Sequence, residues 1–415
     1  MGREGQRGRR CEICTSCGLC PGVLTMRANL KVLTESNLFE SAKSLENKDG
    51  LRLIAADIGT TTIAMELYLE DGSVEDRFAI VNPQTAYGAD VLSRIQAACD
   101  PELQKHMMQM VKSALAQGAE RFLKWKKEGE RFVCVIAANT TMSYLLMGWD
   151  PAELGQAPFA ASHLAGARFD LELSNGERIP CLLVPGFSAF VGGDLLSGAV
   201  ACDMAQAKEL TLLVDLGTNG EILLGNRDGI LATATAAGPA FEGGVNRGIW
   251  GADLVKFTAR LLEEGILDET GLLKEPFFTK GIRIGNVTVT KESIRSIQLA
   301  KAAIQTGIQT LLNEKKSGAE SVDRVILAGG FGYFLNPADA VRIGLLPAAL
   351  EAKAIAGGNT ALLGAKKIGR RLLTSAYWKN NSLWAPELPP VRVINLAQQE
   401  AFAEGYLEAM ALRSI

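Results

Sequence analysis

The 415-residue chain is 47% hydrophobic and 21% charged, with a formal net charge of −3. That is ordinary for an α/β protein of two or three domains, long enough to bury a large core. A mildly acidic balance argues against a nucleic-acid surface as its main business. No apolar run reaches the roughly 18 residues of a membrane span. The basic residues 1–10 lead into cysteines instead of an apolar signal core, so a cytoplasmic protein is expected, with neither nucleic acid nor membrane as partner.

In chain order, the first feature is Cys11, Cys14, Cys17 and Cys20, spaced Cys-x2-Cys-x2-Cys-x2-Cys and followed by Pro21. Four thiolates this dense can wrap a compact iron–sulfur cluster, and four-cysteine ligation suits [4Fe–4S]. The bacterial ferredoxin run has three residues before its last cysteine, so the two found here leave open whether Cys20 joins the same cluster. Zinc is the alternative, although zinc knuckles usually stand about 12 or more residues apart. Cys99, Cys134, Cys181 and Cys202 sit among apolar neighbours and are expected to be core thiols. Residues 23–50 read as a polar linker or short helical hairpin.

From Leu51 the texture becomes alternating strands and helices. Strands are expected over 51–57, 61–69 and 74–81, with a hairpin turn at Asp71-Gly72. A long helix over about 88–126 follows, then strands at 132–138 and 181–185 and a helix from 194 to about 206. The pattern then restarts, with strands over 209–215, 220–224 and 230–235. Ile294, Ile297, Ile304, Ile308 and Leu311 share one face of a helix over 291–312, with Thr290 as its N-cap. A strand over 324–328 and a small-residue helix over 359–370 complete the pattern. Residues 371–415 read as a proline-containing tail with a helical end.

The restart is an internal repeat. Asp57-Ile58-Gly59-Thr60 returns as Asp215-Leu216-Gly217-Thr218, each closing an apolar strand and opening a hairpin. Such a turn presents backbone N–H groups and threonine hydroxyls, and its glycine admits a phosphate to the backbone. The strand-end aspartate can reach a magnesium ion. Two such turns facing each other could clamp a triphosphate. Further glycine turns stand at Gly192-Gly193-Asp194, Ala328-Gly329-Gly330-Phe331-Gly332 and Gly357-Gly358-Asn359. No Walker-type loop and no clear dinucleotide fingerprint is present. His106 and His163, the two histidines, sit in ordinary structural contexts.

The order of these motifs resembles that of the superfamily of acetate and sugar kinases, heat-shock chaperones and actin. That likeness implies two ribonuclease-H-like α/β lobes behind the Cys-rich segment. It divides the chain into a 1–22 iron–sulfur segment, a 23–50 linker, ATPase lobes at 51–207 and 208–372, and a 373–415 tail. It places Asp57, Asp194 and Asp215 at the catalytic centre, Asp194 nearest the attacking water, with Glu242 a weaker acidic candidate. Gly59, Thr60, Thr61, Thr62, Gly217, Thr218, Asn219, Gly220, Glu221, Gly329, Gly330 and Gly332 would surround ATP and Mg2+.

A closer likeness lies in Asp57 to Thr62, Asn82-Pro83-Gln84 with Tyr87-Gly88-Ala89-Asp90-Val91, Asn139-Thr140-Thr141-Met142, Asp215 to Glu221 and Ala237 to Gly243. Together these resemble the reductive activators of corrinoid proteins, ATP-driven iron–sulfur proteins that return Co(II) corrinoid to Co(I). The likeness spans roughly residues 51–370. It implies a methyl-transferring corrinoid protein as partner and an upstream low-potential electron donor, and leaves pairing of two copies open. Those relatives mostly carry a larger ferredoxin domain than the roughly 50 residues here. Three other readings remain: a donor to another low-potential acceptor, like the activators of 2-hydroxyacyl-CoA dehydratases, a small-molecule kinase with a structural zinc knuckle, and a non-catalytic ATP-sensing redox regulator.

Overall fold

A computed structural model describes residues 50–217, 219–238, 251–284, 287–373, 376–379, 384 and 387–414, together with Thr34 and Leu38. Cys11, Cys14, Cys17, Cys20, Thr218, Glu242 and nearly all of the expected linker lie outside the described residues.

The first half builds a six-stranded sheet from β1 (Leu51–Ile58), β2 (Thr62–Tyr68), β3 (Val74–Val81), β4 (Arg131–Ala138), β5 (Ala167–Glu172) and β6 (Arg178–Leu183), in the order β3-β2-β1-β4-β6-β5. Its helices are α1 (Val91–Ala98), α2 (Pro101–Phe122), α3 (Thr140–Met147) and α4 (Gly193–Ala201). The second half builds another from β7 (Thr211–Leu216), β8 (Gly220–Asn226) and β9 (Gly229–Thr235). A separate small hairpin, β10 (Ile282–Ile284) and β11 (Val287–Val289), precedes β12 (Arg324–Ala328), β13 (Ala354–Gly358) and β14 (Val391–Val393). The second six-stranded order is β13-β12-β7-β8-β9-β14. Its helices are α5 (Gly251–Glu263), α6 (Phe277–Lys280), α7 (Lys291–Lys315), α8 (Gly329–Gly332), α9 (Pro337–Arg342), α10 (Thr360–Leu373) and α11 (Phe402–Glu408). No helix among the described residues is long and apolar enough to cross a membrane.

The two sheets share one plan. Three antiparallel strands (β1 to β3, β7 to β9) continue into parallel strands on the far side of the first (β4 then β6, β12 then β13). The repeated Asp-x-Gly-Thr turn led us to expect two similar halves, and both are ribonuclease-H-like, as the resemblance of the motif order implied.

Side-chain alternation decides what each sheet faces. Ile54, Ala56 and Ile58 of β1 pack against Met107, Val111 and Leu115 of α2. Leu53 and Ala55 face the other way, onto Ala361, Leu362, Ala365 and Ile368 of α10. In the second sheet Leu212, Val214 and Leu216 of β7 pack on Ile297, Ile304 and Ile308 of α7, while Leu213 meets Leu195 and Ala199 of α4. Helices α4 and α10 therefore lie between the sheets. Each follows one half in the chain and packs on the other as well, since Leu196 and Val200 of α4 also join the first-sheet cluster.

Several expected elements change. The 88–126 helix is two helices, because Asp100 accepts hydrogen bonds from the Glu102 and Leu103 N–H groups and Pro101 opens α2 as a fresh N-terminus. The 194–206 helix stops at Ala201, two residues before Asp203 turns to a positive φ of 56°. The strand expected at 181–185 begins at Arg178 and pairs antiparallel with β5, which the sequence reading missed. Helices α3 and α5 and strands β13 and β14 were also missed. The segment read as a tail supplies β14, parallel to β9, and buries Leu412 in the second core. Cys134, Cys181 and Cys202 are buried thiols, but Cys99 is exposed, because it caps the outer end of α1.

Candidate active site

Asp57 and Asp215 stand at corresponding positions near the C-terminal ends of β1 and β7. Asp57 pairs with Ala64 on β2 and Ala137 on β4; Asp215 pairs with Glu221 on β8 and Ala328 on β12. Where the first sheet has alanine opposite its aspartate, the second has glutamate. Like charges directly opposite on adjacent strands repel, so this pairing works against its own electrostatics.

Asp194 arrives from between the sheets, in the first turn of α4, where its carboxylate accepts the Leu195 N–H at 2.7 Å. Gly192 makes that placement feasible. A Cβ there would lie 2.5 Å from the Thr140 nitrogen and 2.6 Å from Asn139 Cα, so glycine lets the N-termini of α3 and α4 meet. The site thus combines two strand ends with helix N-termini, whose unpaired N–H groups favour anions.

The four acids sense one another. Burial pushes Asp57 up to about 7, opposed by a hydrogen bond from Asn359 and reinforced by Asp194. Burial likewise raises Asp194 to about 6. Asp215 rises to about 7 through burial and then the charges of Asp194 and Asp57. Glu221 is driven well above the usual carboxylate range by burial, then by Asp194 and Asp215. All four side chains nevertheless keep partial solvent access. Acids raised together in a cleft mark a place where positive charge is wanted. Among the described residues no three Asp, Glu, His or Cys side chains converge as a ready-made metal cage. The donor set fits Mg2+, which keeps waters and shares its shell with substrate phosphates through one or two carboxylates.

The glycine motifs divide in role. Gly329 has φ +82°, and a Cβ on it would lie 2.6 Å from Asp215 Oδ1 and from the Leu216 carbonyl; the Asp215 carboxylate rests on bare backbone. Nothing lies within 4 Å of a Cβ placed on Gly330, so the surface above it is open for a ligand. Gly332 backs onto the Leu327 backbone, at 2.9 Å, and serves packing. Gly220 is also a packing glycine, since a Cβ would meet Thr235 Oγ1 at 2.6 Å and Ile304 Cγ1 at 3.0 Å.

The first turn is tightly held. Its Gly59 N–H donates to the Thr62 carbonyl at 2.9 Å, and the Asn82 N–H donates to the Thr61 carbonyl at 2.8 Å. Thr60 is buried, Thr61 exposed and Thr62 half-buried. In the second turn Gly217 N–H donates to the Asn219 carbonyl at 3.0 Å. The structure therefore brings Asp57, Asp194, Asp215 and Glu221 to one cleft, bordered by the two turns and Gly329–Gly330. His106 lies against Tyr87, and His163 stacks on Trp149 with ring centroids 4.4 Å apart.

Residues 53–207 match the RACo middle region, and residues 209–247 and 244–415 match the C-terminal domain of RACo, the ASKHA domain. The chain belongs to the RACo family. It is similar to the corrinoid activation enzyme RamQ of Eubacterium limosum, 27% identical over 400 residues, covering 81% of this chain and 67% of RamQ. It is also similar to a [Co(II) methylated amine-specific corrinoid protein] reductase of Methanosarcina barkeri, at 23% identity over 263 residues, covering 51% of this chain and 47% of that one. A solved reductive activator for a corrinoid, iron-sulfur protein superposes with a TM-score of 0.74 at 28% identity, covering 90% of this chain and 68% of the other. This RACo-family chain thus spans about two thirds of the first relative and about half of the second.

Three site residues escaped a chemical reading of the sequence: Asn82, Asn139 and Asn359. Each was visible inside a motif, but without a role. The available signal was an asparagine just ahead of a helical turn, the N-cap position.

Proposed function

We propose that this chain is an ATP-dependent reductive activator. It spends ATP to pass one low-potential electron to a Co(II) corrinoid protein, regenerating Co(I). The observation that carries the reading is the convergence of Asp57, Asp194, Asp215 and Glu221 beside two Gly-Thr turns, in a chain of the RACo family. A mutually repelling acid cluster beside open glycine backbone suits a magnesium-bound triphosphate better than it suits an empty cleft.

In this reading Asp57 and Asp215 hold Mg2+ from opposite halves, directly or through water. Asp194 orients the attacking water. Gly59, Thr60, Thr61, Thr62, Gly217, Thr218, Asn219 and Glu221 surround the phosphates, and Gly329 and Gly330 face the nucleoside. Lobes at 51–207 and 208–372 change their mutual closure with nucleotide state, the two-state element that coupling requires. A cluster on Cys11, Cys14, Cys17 and Cys20, most simply [4Fe–4S], would supply the electron, and a separate low-potential donor in the cytoplasm would restore it.

The test is anaerobic. The full chain is assayed for iron and acid-labile sulfide, chemically reduced, and mixed with a Co(II) corrinoid protein. Co(I) absorption is expected only when ATP and Mg2+ are both present, with ATP turnover raised by the corrinoid protein. Iron-free protein that phosphorylates a metabolite, or Co(I) formation indifferent to ATP, would sink the proposal.

A further inference from the structure

Three asparagines converge on the first Gly-Thr turn from three directions. Asn82 accepts the Gln84 N–H with Oδ1 at 3.0 Å, starting a short 3-10 turn, and donates with Nδ2 to the Gly59 carbonyl at 2.9 Å. Asn139 accepts the Met142 N–H at 2.9 Å, capping α3, and donates to Thr60 Oγ1 at 3.2 Å. Asn359 accepts the Leu362 N–H at 2.8 Å at the start of α10 and donates to Asp57 Oδ2 at 2.8 Å. Every one caps a helical turn with its oxygen and grips residues 57–60 with its nitrogen. The backbone N–H on each oxygen fixes which end of the amide is which.

Asn359 differs from the other two. Asn82 and Asn139 belong to the same half as the turn. Asn359 follows β13 of the second sheet and leads into α10, which runs between the halves. Its bond to Asp57 is therefore a direct side-chain link from the second half to a carboxylate of the first.

We propose that Asn359 is a positioning residue that ties the placement of Asp57 to the docking of the two halves, with Asn82 and Asn139 fixing the rest of the turn. The proposal rests on the ATPase reading above for its functional consequence, but not for its geometry. A residue that only capped α10 would need Oδ1 alone. Aspartate and serine cap as well as asparagine does, yet neither supplies the amide donor to Asp57.

That difference defines the experiment. Asn359→Asp and Asn359→Ser are made in the full chain, with Asn359→Ala as the variant that loses cap and donor together. The unfolding midpoint of the Ser variant should stay close to wild type, while that of the Asp variant should fall, because it sets a second carboxylate against buried Asp57. Native-state hydrogen exchange should accelerate over residues 57–62 in both, with the amides of α10 unchanged. ATP turnover should show kcat reduced by about tenfold or more and KM moved far less, the signature of a group needed for geometry instead of ground-state binding. If only Asn359→Ala differs from wild type, Asn359 is a cap and nothing more, and the proposal is overturned. If the wild-type chain hydrolyses no ATP, the functional reading fails, while exchange over 57–62 still decides the positioning role.

Discussion

The two central helices cross at a contact that tolerates no side chain. A Cβ added to Gly364 of α10 would lie 1.9 Å from the Ser197 carbonyl oxygen of α4 and 2.7 Å from Ser197 Cα. Relaxed carbon contacts sit near ~3.5 Å, so Gly364→Ala should force the helices about 1.5 Å apart. They resist separation, because Leu196 and Val200 of α4 share a core with Ala361, Ala365 and Ile368 of α10, and Lys367 reaches across to the Ala201 carbonyl at 2.9 Å and to Asp203 at 2.8 Å. Overpacking of this kind costs about 1–3 kcal/mol, readable by denaturant unfolding. The functional effect should be larger. Asp194 rides on α4 one turn from Ser197, and Asn359 stands at the head of α10. A shift of ~1 Å at reacting groups costs on the order of 10²-fold in rate. The expected result is a folded, modestly destabilised chain whose ATP turnover falls about 100-fold. A Gly364→Ala chain with wild-type stability and turnover would refute the central-helix argument.

Gly329→Ala should act at the other end of the site. Its positive φ and the 2.6 Å approach to Asp215 Oδ1 mean that alanine displaces the carboxylate; turnover should fall at least tenfold for a stability loss of about 1–2 kcal/mol. The acid cluster predicts an unusual pH profile. Asp57, Asp194 and Asp215 have folded values of about 7, 6 and 7, above those of the unfolded chain. Their contribution is therefore fully favourable below about pH 4 and is lost as pH rises through 6–7. Nucleotide-free protein should show this cluster-specific loss in thermal unfolding between about pH 4 and 7, Asp215→Asn should flatten it, and Mg2+ with ATP should restore stability at the upper end. Away from the site, Arg52 is 3% exposed and bonds Glu75 at 2.6 Å, Glu130 at 3.2 Å and the Tyr68 and Trp125 carbonyls. Arg52→Met leaves two carboxylates facing each other without their cation and should cost about 3–5 kcal/mol of unfolding free energy, with kcat of the remaining folded protein unchanged.

Much of this is legible in the sequence. The twin turns at Asp57 and Asp215 showed through because hairpin chemistry is local: an apolar strand, an aspartate, a glycine, a threonine. Thr290 and the isoleucine stripe likewise marked α7, whose cap and buried face the structure bears out. The helix expected over 88–126 is broken at Asp100-Pro101, a cap signal already present in the sequence, and the one expected over 194–206 ends at Ala201. β14 stayed hidden because three residues, Val391–Val393, carry no period of their own; only their partner β9 makes them a strand.

The sequence by itself determined the repeated plan, the acids at the strand ends and the glycines around them, since strands and turns depend on neighbours along the chain. Tertiary structure alone decided that Gly220 and Gly332 serve packing while Gly330 stands open. It alone brought the amide of Asn359 to Asp57 from the far end of the chain. Those facts depend on which helix lies between which sheets, and α4 and α10 settle that by burying side chains against both halves at once.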